Sequence, residues 1–144
     1  MGITLQEVLD HATKWFDTVM VNGGSAPEQA VFFLHPHPRI FVVNAGASID
    51  MEDQARLHRQ WKNEVHRLGS FTVTPLSDSP ERVRAVGTVY WQAEYRDRKG
   101  PNNVIKSVVG EDWILERVAD GSLKFVLYIN GFHHILPDSA PFGL

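Results

Sequence analysis

The chain has 144 residues, of which 43% are hydrophobic and 22% charged, and a formal net charge of −3. This composition predicts a globular protein with a single domain over residues 1–144. The small negative charge argues against nucleic acid as a partner, and no apolar run reaches the ~20 residues of a membrane span. Because the chain has no cysteine, disulfides, zinc–thiolate sites and a cysteine nucleophile are excluded. We expect a cytoplasmic protein that binds neither nucleic acid nor membrane.

The first half of the sequence predicts helices. In "ITLQEVLDHATKWFDTVMVNGG", Thr4 and Glu7 are spaced as a capping box, and apolar residues then recur at helical spacing as far as the NGG sequence. In "SAPEQAVFFL", Ser25 and Glu28 repeat the box, and the prolines of "HPHP" end this short second helix. The next apolar run, "RIFVVN", is typical of a buried strand.

A third helix is predicted in "SIDMEDQARLHRQWKNEVHRLGS", with Asp50 as its N-cap and Gly69 at its end. His58 and Trp61 fall on the apolar stripe of this helix. The remaining sequence predicts a meander of four strands, because Gly, Pro or Asx residues occupy each break between apolar runs. These strands cover about residues 70–76, 81–97, 103–118 and 122–135.

Alternation along the strands predicts which side chains face the core. In the second strand of the meander, Trp91 and Tyr95 share the core face with small apolar residues. In the last strand, His133 is predicted on the inner face and His134 on the outer face, unless a bulge at Gly131 exchanges them. The predicted inner face of that strand consists of Leu123, Phe125, Leu127, Ile129, Gly131, His133 and Ile135, and the outer face includes Tyr128 and Asn130.

Three helices, with one strand before the third, followed by an antiparallel meander resemble the nuclear transport factor 2-like superfamily. The resemblance covers nearly the whole chain and lies in "LQEVLDHATKWF", "FFLHPHPRIFVV" and "VVGEDWILERVADGSLKF". It implies a cone-shaped α+β fold, in which three N-terminal helices pack in a strongly curved, mostly antiparallel sheet around an internal apolar pocket. Members include ketosteroid isomerases, SnoaL-like polyketide cyclases, scytalone dehydratases, dioxygenase small subunits and binding proteins, so the fold alone does not decide the function.

The ketosteroid isomerase mechanism is disfavoured by the residues present. That mechanism needs a tyrosine in the first helix and a carboxylate base near the first strand. This sequence has Trp15 and Phe16 in the helix, and Val43 and Asn44 near the expected position of the base.

The cyclases and dehydratases of the superfamily use pocket histidine and aspartate residues as general acid and base. Here His133 and Asp112 are the catalytic candidates, since they are predicted on neighbouring strands near the core. Each has a structural alternative. His133 can be a hydrogen-bonded core residue, and Asp112 can lie on the outer surface beside Lys106 or Arg117, because a bulge at Gly110 leaves its parity open.

Aromatic residues and one further histidine are the candidates for ligand contact. We expect the pocket to bind a small hydrophobic or aromatic ligand through Trp15, His58, Trp61, Trp91 and Tyr95, all of which can instead serve core packing. The "HPHP" histidines lack the convergent third and fourth ligands of a metal site. We therefore expect no metal and no cofactor, and the sequence has no nucleotide-binding or serine-hydrolase motif.

The sequence thus favours a cofactor-independent isomerase, cyclase or dehydratase that acts by acid/base chemistry on a small hydrophobic carbonyl compound. The alternative is a non-catalytic ligand-binding or assembly protein, similar to a ring-hydroxylating dioxygenase small subunit. We also expect a homodimer, because apolar residues occupy the predicted outer face of the sheet, unless the C-terminal "PDSAPFGL" covers that face. These residues are Val86, Tyr90, Val126, Tyr128 and Phe132.

Overall fold

The computed structural model describes residues 2–20, 23–76, 79–98, 100 and 102–142, without the side chains of residues 79 and 80. The helices are α1 (Leu5–Met20), α2 (Ala26–Ala30) and α3 (Met51–His58), and a 3-10 turn covers Val43–Ala45. The strands are β1 (Arg39–Val42), β2 (Ala47–Asp50), β3 (Trp61–Leu76), β4 (Ser79–Tyr95), β5 (Val104–Arg117) and β6 (Leu123–Ile135). In the described part of the chain, these strands form one sheet in the order β2-β1-β6-β5-β4-β3, and only β1 and β6 pair in parallel.

The predicted capping signals are confirmed at the start of α1 and α2. The backbone N–H of Thr4 donates to the Glu7 carboxylate over 2.8 Å, and the N–H of Glu7 donates to Thr4 Oγ1 over 3.2 Å. Ser25 and Glu28 form the same reciprocal pair at α2. Each pair satisfies two N–H groups that have no partner within the helix, so the sequence alone determines where these helices begin.

The predicted third helix is wrong beyond His58. Asp50 caps α3 as expected, but the helix ends at His58 rather than at Gly69, and Trp61 begins the strand β3. β3 pairs with β4 over its whole length, from Trp61 opposite Tyr95 to Leu76 opposite Ser79. A short apolar pattern fits a helix and a strand equally well, and here a long partner strand that supplies backbone hydrogen bonds decides the outcome.

The concave inner face of the sheet packs on α1 and forms the core. One face of α1 is buried through Val8, Ala12, Trp15, Phe16 and Val19. Alternate residues of β4 and β5 meet this helix, as the sequence predicts for β4. Burial of each of these larger apolar side chains contributes about 1.5–3 kcal/mol, so the aromatic cluster around Trp15 holds the helix inside the sheet.

Two bulges in β6 decide which of its side chains point inward. Phe125 lies opposite Leu115 but Leu127 lies opposite Ile114, so Val126 is an extra residue. The strand therefore changes parity, and Tyr128 and Asn130 point inward while Leu127 and Ile129 point outward, contrary to the prediction from simple alternation.

The second bulge reverses this change. Asn130 lies opposite Glu111 and His133 opposite Val109, so that Gly131 and Phe132 together face the single residue Gly110. His133 is consequently inside and His134 exposed, as expected, but only because two changes of parity cancel. Tyr128, which was expected on the outer face, is 3% exposed in the core.

The C-terminal segment as far as Phe142 lies along the start of β5. The N–H of Leu136 donates to Lys106 O over 3.0 Å, and the N–H of Ala140 donates to Val104 O over 2.8 Å. The Phe142 ring then packs against Trp91, with 5.1 Å between ring centroids. The tail thus reaches the inner side of the sheet rather than its outer face. No helix in the described ranges is both long and apolar enough to cross a membrane.

Candidate functional site

A cavity of about 70 Å³ lies between α1, α3 and the inner face of the sheet. Most of its wall is apolar, with contributions from Trp15, Phe16, Trp61, Trp91 and Phe142. The polar or titratable residues that line it are Gln54, His58, His66, Glu111, Tyr128, Asn130 and His133. A small apolar chamber with several convergent polar groups is the usual form of a site for small molecules, although this volume is below the ~300 Å³ of a typical ligand pocket.

Glu111 is the acidic residue inside the cavity. It lies on the inner face of β5, where alternate residues from Ile105 to Leu115 are buried without interruption, and it is 5% exposed. Burial raises the pKa of the Glu111 carboxyl to about 8, while hydrogen bonds from Trp113 and Tyr128 oppose this shift only in part. At neutral pH this carboxyl is therefore protonated and can donate a hydrogen bond.

Two donors hold the Glu111 carboxyl in place, and a third fixes the position of one of them. Trp113 Nε1–H donates to Oε2 over 3.2 Å, and the Tyr128 hydroxyl donates to Oε1 over 3.4 Å. Trp15 Nε1–H in turn donates to the Tyr128 oxygen over 3.3 Å. Burial and the neighbouring Glu111 raise the pKa of Tyr128 well above its usual value, so the phenol stays protonated. Since both carboxyl oxygens already accept a hydrogen bond, the acid proton of Glu111 is the group left for a ligand.

His133 is the histidine of β6 that lines the same cavity. Its Nε2 lies 2.6 Å from Asn130 Oδ1, and because an amide oxygen only accepts, this contact places the ring proton on Nε2. Nδ1 then carries the lone pair, and within the described residues this buried atom has no hydrogen-bond partner. Burial lowers the pKa of His133, so that the ring is neutral at pH 7, the form that a general base requires.

A second histidine in the wall is bound to a buried carboxylate. His58 Nδ1 lies 2.8 Å from Glu64 Oε1, and the exposed fractions of the two side chains are 12% and 4%. Trp91 Nε1–H donates to the same Glu64 oxygen over 3.1 Å. The other ring nitrogen of His58, Nε2, is 3.1 Å from the Gln54 side-chain nitrogen.

His66 is the third histidine that lines the cavity. Its ring stacks on Phe16 with a centroid distance of 4.2 Å and an interplanar angle of 10°, and its Nδ1 contacts the Met20 sulfur. Burial, with a smaller contribution from the charge of His58, lowers the pKa of His66 well below its usual value. His66 is therefore a neutral packing residue at pH 7.

The structure brings together most of the ligand-contact candidates. Trp15, His58, Trp61, Trp91 and His133 all line the cavity. Trp61 and Trp91 pack edge to face with 4.8 Å between their centroids, and the Trp91 ring lies 6.4 Å from His133. Most of the residues that were predicted from aromatic character or strand parity thus line the same cavity.

Asp112 and Tyr95 are the exceptions, because neither lines the cavity, and for both the structural alternative applies. Asp112 lies on the outer face of β5, where Arg84 donates two hydrogen bonds of 2.9 and 2.6 Å to its carboxylate. The uninterrupted alternation of β5 explains this position, because Glu111 takes the inner face. Tyr95 is outside the cavity lining, donates its hydroxyl to Pro141 O over 2.8 Å, and has the Arg98 guanidinium 4.0 Å from its ring centroid.

Sequence reasoning missed several residues of the site. Glu111 carried a detectable signal, since it lies in register with Ile105, Val109, Trp113 and Leu115 on the apolar face of its strand. The other missed residues are Gln54, Glu64, His66, Tyr128 and Asn130, of which Glu64 and His66 were assigned to a helix, and Tyr128 and Asn130 to the wrong face of β6.

Across the described residues, no group of three or more His, Asp or Glu side chains is arranged to hold a metal ion. The "HPHP" histidines are exposed, and the His37 N–H donates to His35 Nδ1 over 2.9 Å.

The sequence matches no protein-family model and no curated protein. Several solved structures resemble the whole molecule in fold. An NTF2-like protein from Cytophaga hutchinsonii has a TM-score of 0.63 at 12% identity, over 93% of this chain and 100% of that chain. A candidate aromatic ring hydroxylase from Novosphingobium aromaticivorans has a TM-score of 0.69 at 12% identity, over 94% and 95% of the two chains.

The hexachlorocyclohexane dehydrochlorinase LinA-type3 from Novosphingobium barchaimii has a TM-score of 0.65 at 14% identity, over 96% of this chain and 94% of that chain. At this level of identity the likeness concerns the fold. The curved, mostly antiparallel sheet around α1 agrees with it. The chain therefore has the cone-shaped nuclear transport factor 2-like fold that its order of elements predicts.

Proposed function

We propose that this protein is a cofactor-independent enzyme that isomerises, cyclises or dehydrates a small hydrophobic carbonyl compound by acid/base chemistry. The observation that carries this proposal is the pairing of Glu111 and His133 in one apolar cavity, with the pKa of the acid raised to about 8 and that of the base lowered. At pH 7 the carboxyl keeps a proton and the imidazole keeps a lone pair. Two groups whose surroundings shift their pKa values in this way are suited to donate and accept protons in the same step.

The geometry supports the role of a hydrogen-bond donor for Glu111 and the role of a general base for His133. A substrate carbonyl oxygen can accept the free proton of Glu111, whose two oxygens are held by Trp113 and Tyr128. Once a ligand displaces the Phe142 ring, whose centroid lies 5.5 Å from that of His133, the buried Nδ1 atom can remove a proton from the carbon next to that carbonyl. The negative charge that develops on the oxygen is stabilised by the carboxyl donor. Asn130 keeps the other ring nitrogen occupied, so the same tautomer of His133 is present in each turnover.

The size and lining of the cavity restrict the ligand. A cavity of about 70 Å³ holds only a few water molecules, so a substrate has to displace part of the lining, and we propose that the Phe142 ring moves. The Trp61 and Trp91 rings lie beside Phe142 in the wall, which favours small cyclic or aromatic compounds. The name of the Novosphingobium barchaimii relative states an elimination reaction, which also belongs to the class of reactions proposed here.

The alternative function is a non-catalytic binding or assembly protein. The small volume of the cavity favours it, and so does the exposure of Val86 and Phe132, at 42% and 57%, on the outer face of the sheet. The name of the Novosphingobium aromaticivorans relative refers to aromatic ring hydroxylation, the reaction class in which small subunits of this fold take part. In this case Glu111 and His133 would serve only to fill and order the core.

Deuterium exchange at the carbon next to a carbonyl tests the proposal directly. We expect the protein to accelerate the exchange of the C2 hydrogens of 3-cyclohexen-1-one in D2O, followed by proton NMR, because this compound is small, cyclic and apolar. Glu111→Gln and His133→Gln should each slow exchange by about 10²-fold or more, the usual contribution of a general acid or base.

Asp112→Asn is the matched control for Glu111→Gln. It removes a carboxylate from the adjacent residue, but on the outer face of the sheet, so the exchange rate should stay at the level of the unmodified protein. Exchange no faster than in protein-free buffer, or exchange that is unaffected in folded Glu111→Gln and His133→Gln proteins, would favour the binding protein instead.

A further inference from the structure

A bulge at the start of β3 turns Glu64 into the interior. Lys62 lies opposite Glu94 and Val65 opposite Gln92, so Asn63 and Glu64 together face one residue of β4. Asn63 has a φ of 49°, in the left-handed region that a bulged residue can adopt. The extra residue changes the parity of the strand, so Glu64 follows Trp61 to the inner side instead of pointing to solvent. Its side chain is 4% exposed.

The buried Glu64 carboxylate accepts two hydrogen bonds that fix its position. Trp91 Nε1–H can only donate, and it lies 3.1 Å from Glu64 Oε1. His58 Nδ1 lies 2.8 Å from Oε1 and 3.0 Å from Oε2. An ionised carboxylate only accepts, so it holds the ring proton of His58 on Nδ1 and leaves the lone pair on Nε2.

His58 and Gln54 both line the cavity. The Gln54 side-chain N–H donates to the lone pair of His58 Nε2 over 3.1 Å, so this amide has to turn away before Nε2 can exchange a proton with a substrate. Edge-to-face contacts lead from His58 to Trp61 at 5.1 Å, from Trp61 to Trp91 at 4.8 Å, and from Trp91 to His133 at 6.4 Å. The two histidines therefore lie at different points of one wall, with two tryptophan rings between them.

We infer that His58 is a second proton-transfer group of this site and that Glu64 is its positioning residue. The inference rests on the proposed function and narrows it to reactions that move a proton between two substrate atoms. His133 Nδ1 takes a proton from the carbon next to the carbonyl. Protonated His58, its charge balanced by Glu64, returns a proton from Nε2 to another substrate atom.

The substrate atom that receives the proton from His58 determines which reaction takes place. In an isomerisation it is the distant carbon of the dienol, and the double bond moves into conjugation with the carbonyl. In a dehydration it is the leaving hydroxyl oxygen, whose C–O bond breaks as water forms. In both cases one proton is removed and one is returned, and solvent carries the proton from His133 back to His58 before the next turnover. No oxidant, reductant or co-substrate is needed.

The conversion of 3-cyclohexen-1-one to 2-cyclohexen-1-one separates the two steps, because exchange at C2 reports proton removal and conjugation reports proton return. We expect His58→Gln to slow conjugation by about 10²-fold or more while C2 exchange in D2O continues at a similar rate. His133→Gln should slow both. Glu64→Gln should slow conjugation by about 10-fold or more, since one amide oxygen has to serve two donors, and Glu64→Asp should recover part of the loss.

Glu94→Gln is the control for Glu64→Gln, since Glu94 bonds Asn63 on the neighbouring strand and is not part of the cavity lining. It should leave both rates unchanged. Long-range ¹⁵N–¹H NMR of the histidines supplies a readout besides turnover, and should show His58 protonated on Nδ1 in the unmodified protein and on a different or mixed tautomer in Glu64→Gln.

Three results would overturn the inference. They are unchanged conjugation in folded His58→Gln, equal loss of exchange and conjugation in that variant, and an unprotonated Nδ1 of His58 in the unmodified protein. None of these contradicts the proposed function, as long as the unmodified protein catalyses C2 exchange. Absence of exchange in the unmodified protein contradicts the proposed function, and the inference with it.

Discussion

Glu111 and Asp112 are adjacent in β5, yet their carboxyl groups lie on opposite faces of the sheet. Glu111 is 5% exposed and bonds Tyr128 inside the cavity, whereas Asp112 forms a salt bridge with Arg84 outside. The same functional group is thus buried in the cavity at one residue and part of a surface salt bridge at the next. Burial keeps the first protonated at neutral pH, while an arginine holds the second as a surface ion pair, which contributes little to stability.

The first prediction is that the raised pKa of Glu111 makes the stability of the protein depend on pH. The folded-state pKa of Glu111 is about 8, against 4.5 when unfolded, so between these values the unfolded chain binds fewer protons than the native protein. The free energy of unfolding therefore falls as pH rises, by up to about 1.4 kcal/mol per pH unit. The buried histidines have lowered pKa values and act in the opposite direction as far as about pH 7.5, because an unfolded histidine still binds some protons up to one pH unit above its usual pKa of 6.5. The effect of Glu111 therefore dominates between about pH 7.5 and 9.

Urea unfolding at half-unit steps across this window measures the slope. Glu111→Gln should make the slope nearly flat, because an amide does not titrate, and Asp112→Asn should leave it unchanged. A slope that persists in Glu111→Gln would show that another group titrates in this range and that the pKa of Glu111 is not raised as described.

The second prediction concerns Asn63 in the bulge that orients Glu64. Asn63→Val should lower the free energy of unfolding by about 1–2 kcal/mol more than Asn63→Gly, because a β-branched residue resists a φ of 49° and glycine does not. Both variants lose the hydrogen bond of 2.6 Å from Asn63 to Glu94, so the difference isolates the backbone conformation. Chemical denaturation measures both, and equal stabilities would mean that the bulge does not require this conformation.

The third prediction concerns Gly87, where two strands approach closely. A Cβ atom on Gly87 would lie 2.4 Å from the carbonyl oxygen of Ser70, which belongs to the backbone of β3 and cannot turn away. We expect Gly87→Ala to destabilise the protein by about 1–3 kcal/mol, as overpacking usually does.

Gly110→Ala is the comparison for Gly87→Ala. Its Cβ would also meet an atom at 2.4 Å, but that atom is at the far end of the Phe132 ring, which is 57% exposed and free to rotate. We expect a smaller loss of stability than for Gly87→Ala in the same denaturation experiment. The reverse order would show that the backbone at Gly87 adjusts more easily than an exposed side chain.

The fourth prediction is that the protein forms a homodimer through the outer face of the sheet. Val86 and Phe132 are 42% and 57% exposed there, although Tyr128 does not contribute as the sequence led us to expect. Sedimentation equilibrium at micromolar concentration should give twice the 16.3 kDa of one chain. Phe132→Lys should shift the equilibrium to the monomer, while Val31→Lys, which changes an equally exposed apolar residue after α2 and outside the sheet, should not. A monomer of unmodified protein would contradict the prediction.

Several features of this protein follow from its sequence because they depend on neighbours in the chain. The Thr4–Glu7 and Ser25–Glu28 capping boxes determine where two helices begin, since the groups that pair are three residues apart. The apolar alternation of β4 determines its buried face for the same reason. The order of the elements was sufficient to identify the nuclear transport factor 2-like fold.

The tertiary structure decided the features that depend on pairing between distant segments. Residues 61–69 became a strand because β4 provides its hydrogen-bond partners, and this is what brings Glu64 and His66 into the cavity. The register of β6 against β5 depends on two bulges, which no local pattern reveals, and these turn Tyr128 and Asn130 inward and return His133 to the inner face. A one-residue change in register exchanges the faces of a strand, so a chemical site built on bulged strands is determined by strand pairing rather than by the spacing of residues in the sequence.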